Sequence, residues 1–190
     1  MGYACLILTV LLTAVVARPQ DLDVPMNIQL PLLLKVLSAD RNLRERAGAE
    51  LMIGVIYQQR YRASVNTMEA ILEVGGQSAL SPFPDQPLRL VAIPVDNAGV
   101  IDSLLAAHEV DVCYLAPLRA TGLAPILSAT RARRIVTCTG VPEYIESGVA
   151  IGFDAKGGKP QIVINIEAAK AEGIDFSSQL LKLARIIADG

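Results

Sequence analysis

VDVCYLAPLRATGLAPILSATRARRIVTCT, residues 110–139, places two short apolar runs on either side of a helical span. Residues 110–115 and 135–139 read as strands, and residues 122–131 as a helix whose end gathers Arg131, Arg133 and Arg134, cations that complement the negative pole of a helix dipole. Two strands separated by a helical span of that length cannot form a hairpin. They pair in parallel through a right-handed crossover.

The same rhythm extends toward the N-terminus. Residues 99–108 read as a helix and 88–93 as a strand, preceded by a connection carrying Pro82, Pro84 and Pro87. Residues 61–74 place Tyr61, Val65, Met68 and Leu72 opposite Arg62, Asn66, Glu69 and Glu73, an amphipathic helix stopped by Gly75 and Gly76. LMIGVIY, residues 51–57, is continuously apolar, which is how a strand covered on both faces reads. A first helix is expected over 31–39, with Pro31 at its start and Asp40, Arg41 and Asn42 breaking it.

Toward the C-terminus the pattern changes. Residues 149–153 and 161–166 are separated by a loop with Gly157 and Gly158, which suits an antiparallel hairpin ending the sheet. Residues 178–188 put Leu180, Leu183, Ala184 and Ile187 on one helical face, with Asp175 or Ser177 as N-cap. The expected fold is α/β: a single, doubly wound, mostly parallel sheet with helices on both faces and a C-terminal antiparallel hairpin.

Residues 1–17 carry no charged side chain and include the apolar run 6–12. Val15 and Ala17 suit the small pockets of a signal peptidase, so 1–17 is expected to be a signal peptide cleaved after Ala17, 18–29 an extended leader, and 30–190 one domain. A net charge of −2 and the absence of Trp argue against nucleic acid as a partner, since there is neither a basic stripe nor a stacking platform.

Catalytic chemistry finds few groups to use. His108 is the only histidine, too few for a multi-histidine metal site, and no glycine-rich phosphate cradle occurs. Lys156-Gly157-Gly158-Lys159-Pro160 is a turn, and Glu143 and Glu146 share one exposed helical turn. No catalytic residue, cofactor or metal is expected. Cys113 and Cys138 fall on neighbouring strands as either buried free thiols or a disulfide; adjacent parallel strands seldom meet disulfide geometry. A ligand crevice in such a sheet lies beyond the carboxyl ends of the strands at the switch in strand order. That places Gln58, Gln59 and Arg60 after the first strand, Thr121 in the loop after the third, and Thr139 nearby.

Three segments, RIVTCTGVPEYIESGVAIGF (134–153), GKPQIVINIEAAKAEG (158–173) and FSSQLLKLARII (176–187), together with LLKVLSADRNL (33–43), resemble the YfiR/HmsC-like family. The resemblance implies a periplasmic α/β domain that restrains a membrane-bound diguanylate cyclase through the enzyme's periplasmic sensor region, lowering cyclic-di-GMP and biofilm output. Its implied partner is the periplasmic region of a membrane sensor, and a homodimer is compatible with this reading. The rival expectation is a periplasmic small-molecule binding protein of the substrate-capture type. Such proteins normally close two lobes over a ligand.

Overall fold

The computed structural model describes residues 22–76, 81–119 and 122–188. The expected signal peptide lies outside the described residues. Among these residues seven strands form one sheet: β1 (Leu51–Tyr57), β2 (Leu88–Pro94), β3 (Val112–Leu115), β4 (Val136–Thr139), β5 (Ile151–Lys156), β6 (Lys159–Asn165) and β7 (Arg185–Ile187), in the order β2-β1-β3-β4-β5-β6-β7. Every pairing is parallel except β5 with β6.

Among the described residues, eight α-helices wind on both faces: α1 (Met26–Leu37), α2 (Leu43–Arg46), α3 (Arg62–Gly76), α4 (Ile101–Ala107), α5 (Leu123–Arg133), α6 (Pro142–Glu146), α7 (Ile166–Ala171) and α8 (Ser178–Leu183). The larger core sets α1, α2, α3, α7 and α8 against Leu51, Ile53, Val112, Tyr114, Val136, Ile151 and Ile164. On the other face, α4, α5 and α6 cover Ile56, Ile93, Cys113 and Leu115. This alternation follows from the pleat, because successive side chains of a strand point to opposite faces.

Part of the expected leader is helical. α1 begins at Met26, so residues 26–29 belong to the fold, and Pro31 sits inside the helix rather than at its start. An interior proline costs about 3 kcal/mol. Leu30, Leu33, Leu34 and Leu37 are all buried on the inner face, at about 2 kcal/mol apiece, which outweighs that cost. The buried line of α3 runs through Ser64, Thr67 and Ile71, rotated from the expected stripe, because the Ser64 hydroxyl accepts the Gln58 backbone N–H at 2.9 Å.

The expected helix over 178–188 divides in two. α8 is capped by Ser177, whose hydroxyl accepts the Leu180 N–H, and ends at Leu183; Ala184 turns extended (φ −89°, ψ 152°). Arg185, Ile186 and Ile187 then pair with Val163, Ile164 and Asn165. The hairpin therefore does not end the sheet. A parallel seventh strand lies beyond it, because the outer edge of β6 offers backbone partners that a last helical turn would leave unused.

Candidate functional site

The strand order reverses between β1 and β3, so the loops leaving these two strands meet at the carboxyl end of the sheet. Gln58 ends the first strand's exit and is buried, with its side-chain Oε1 accepting the Arg119 backbone N–H at 2.8 Å. The Arg119 guanidinium lies 4.3 Å above the centre of the Tyr61 ring, a cation–π contact. From α6, the buried Tyr144 hydroxyl accepts the Leu118 N–H at 2.7 Å and donates to the Leu118 carbonyl at 3.0 Å. Three side chains thus stitch the two loops to each other and to α6.

Thr139 is buried here too, and its hydroxyl donates to the Leu115 carbonyl at 2.9 Å while accepting the Val141 N–H at 3.1 Å. Its polar atoms already hold the exits of β3 and β4. Gln59 and Arg60 are exposed and line an open hollow of about 420 Å³ with Arg62, Val65, Asn66 and Glu69 of α3, apart from Gln58 and Thr139. Thr121 lies outside the described residues. The four described residues are therefore divided, with Gln58 and Thr139 buried at the strand exits and Gln59 and Arg60 exposed on the hollow beside α3. Sequence gives Tyr61 only as a helix-face residue and does not assign Arg119 or Tyr144 to the site; their signal is the topology, which brings these loops together.

Behind the switch, α1 closes the other face. Gln29 is fully buried, donating to the Val24 carbonyl and accepting the Tyr114 hydroxyl at 2.7 Å. Gly140 passes so close that an added Cβ would stand 2.6 Å from the Gln29 amide, which is why no side chain fits there.

The nucleophiles are no better assembled. Cys113 pairs with Thr137, and Cys138 pairs with Tyr114, one residue out of register. The two thiols therefore point to opposite faces of the sheet, one in each core, and both are free. Burial raises the pKa of each thiol, which suppresses the reactive thiolate. His108 caps the C-terminus of α4 and is exposed, whereas Cys113 is fully buried in the core beneath that helix. Among the described residues no group of three or more His, Cys, Asp or Glu side chains could hold a metal ion.

One buried ionisable group was unreadable in the sequence. Glu172, at the end of α7, has no solvent exposure, and its carboxylate accepts the Thr137 N–H at 2.7 Å and the Thr137 hydroxyl at 2.6 Å. Burial raises its pKa to about 7, opposed by the two Thr137 hydrogen bonds and by the positive charges of Arg131 and Arg46. Arg46 donates to the Glu172 and Gly173 carbonyls and to Asp40, and Arg131 to the Gly148 carbonyl. Neither guanidinium pairs with the carboxylate itself.

The sequence profile of the YfiR/HmsC-like family matches residues 45–185, from α2 to the start of β7. The chain belongs to the YfiR/HmsC-like family. A comparison with curated proteins returns no match. Solved structures share the α/β fold of this YfiR/HmsC-like chain at low identity. An ABC domain in complex with L-Trp from Streptococcus pneumonia superposes with a TM-score of 0.59 at 16% identity, over 86% of this chain and 62% of that one. A conserved domain protein from Vibrio cholerae gives 0.57 at 18%, over 85% and 60%. A ligand-free, open substrate binding protein with adhesive properties from Clostridium difficile gives 0.53 at 15%, over 82% and 59%. The YfiR/HmsC-like chain thus spans about three fifths of the structures it resembles.

Proposed function

We propose that this chain is a non-catalytic, periplasmic regulatory module whose output is a protein contact, and that it represses a membrane-bound diguanylate cyclase through the periplasmic sensor region of that enzyme. The family match over residues 45–185 carries this reading. The closed switch point supports it: the Gln58 and Tyr144 side chains bond to the backbone of Arg119 and Leu118 across the place where an open sheet of this kind would admit a ligand. Cys113 is buried and His108 exposed, an arrangement that does not present an accessible nucleophile beside a base, which supports the non-catalytic part.

The test is recovery of a partner. The chain from Arg18 onward, immobilised and passed over detergent-solubilised membranes of its own host, is expected to retain a membrane protein bearing a diguanylate cyclase domain. Recovery of no membrane sensor would count against the regulator role. The second reading, small-molecule capture, is favoured by the ligand-binding proteins among its structural neighbours. A metabolite that stabilises the fold strongly in a thermal-shift screen would select it.

A further inference from the structure

The β7 edge of the sheet differs from the rest of the surface. Leu183, the last residue of α8, is 79% exposed, and Ile186 in β7 is 42% exposed. Leu183 shares a depression of about 290 Å³ with Leu32, Ile162, Lys156 and Lys159, so the tip of the β5–β6 hairpin and the end of α8 converge there. Lys182 stands beside Leu183 and is exposed. Arg185 is neutralised by Asp154 at 3.1 Å, whereas Lys156, Lys159 and Lys182 enter no ion pair among the described residues.

Two lysines outside any ion pair line the depression with an exposed leucine, and a third adjoins that leucine along the chain, on a molecule whose net charge is −2. The asymmetry gives the edge an electrostatic sign of its own. A second copy would bring three lysines against three lysines, a repulsive pairing. The apolar part is a few side chains, too small for the core of a specific protein interface, which needs about 800 Å² on each partner. An anionic bilayer surface needs no shape complementarity. It accepts a shallow apolar insertion together with the attraction of lysines for acidic headgroups.

We infer that the Lys156, Lys159, Lys182 and Leu183 edge docks on an anionic lipid surface and holds the protein against the membrane. The inference does not depend on the cyclase reading. Lys156 and Lys159 reach the headgroups from the hairpin, and Leu183 enters the interface from α8. The contact weakens with salt, because screening shortens the reach of the lysine charges.

The described sheet and both covering layers lie within residues 22–188, all of which the chain from Arg18 contains. That chain is sedimented with vesicles of phosphatidylcholine containing 30 mol% phosphatidylglycerol, and with phosphatidylcholine alone. Binding to the mixed vesicles and not to the neutral ones is expected. Each lysine removed by Lys156→Gln, Lys159→Gln or Lys182→Gln should lower the partition coefficient about fivefold. Leu183→Ser should lower it about tenfold. All four side chains are exposed, and an unchanged melting temperature verifies that each variant is folded. No binding to mixed vesicles at low salt, or equal binding by the triple lysine variant, overturns the inference. Self-association abolished by Leu183→Ser would assign the edge to a second copy. Loss of sensor recovery in the triple variant, without any vesicle binding, would assign it to a protein; either result overturns the lipid reading.

Discussion

Cys113 and Cys138 are adjacent in strand order and yet cannot bond, because a one-residue offset in a parallel ladder turns their side chains to opposite faces. Ellman titration of the unfolded, non-reduced chain from Arg18 should therefore find two thiols per molecule. A reading of zero would contradict the register. Glu172 gives a second residue-level test, on pH. Its pKa rises from 4.5 to about 7 on folding, so the folded state holds the proton more tightly than the unfolded chain. Stability from this group is full below pH 4.5, falls as the pH climbs, and is lost above about 7. The span corresponds to roughly 3 kcal/mol. Glu172→Gln keeps the hydrogen-bonding shape, and its melting temperature should vary less between pH 5 and pH 8 than that of the natural chain. Equal slopes would mean that Glu172 is not the group responsible. Neither feature was legible in sequence: the cysteine offset depends on register across two strands, and the burial of Glu172 depends on where α7 docks.

At the level of elements, the strands were legible because their apolar runs are short and punctuated, and parallel pairing followed from the helical spans between them. The two failures share a cause. Pro31 looked like a helix start, but the leucines behind it anchor the helix to the core from Met26 onward. Residues 184–187 fit a helical stripe, and only the distant edge of β6 draws them into a strand. Packing of α6 on β5 can be tested at Gly152. A Cβ there would fall 1.9 Å from Ile145 Cδ1 and 2.3 Å from its Cγ1, and Ile145 is buried. Gly152→Ala is expected to destabilise by about 2–3 kcal/mol by urea denaturation, the cost of overpacking a filled core. Ile145→Ala opens a cavity on its own. The double variant should be less destabilised than the sum of the two, since each change relieves the other. Strict additivity would mean that the two residues do not meet.

Across the whole molecule, the switch in strand order located the meeting of two loops correctly from sequence, and the polar residues Gln58 and Thr139 are there. What sequence did not disclose is that both bond to backbone and that Arg119, Tyr61 and Tyr144 complete the closure. Opening it is a way to test its role. Gln58→Ala leaves the Arg119 N–H without its acceptor and should cost about 1–2 kcal/mol of stability, measured by urea denaturation, with no new ligand required. For a YfiR/HmsC-like chain with a closed switch point and two buried thiols, we propose action by contact with another protein. The most direct measurement is intracellular cyclic-di-GMP in host cells lacking this chain, compared with cells in which it is restored. The level should rise when the chain is removed and return when the natural chain, or one with Cys113→Ala, is supplied. An unchanged level on removal would contradict the account, as would restoration by the natural chain but not by a folded Cys113→Ala chain.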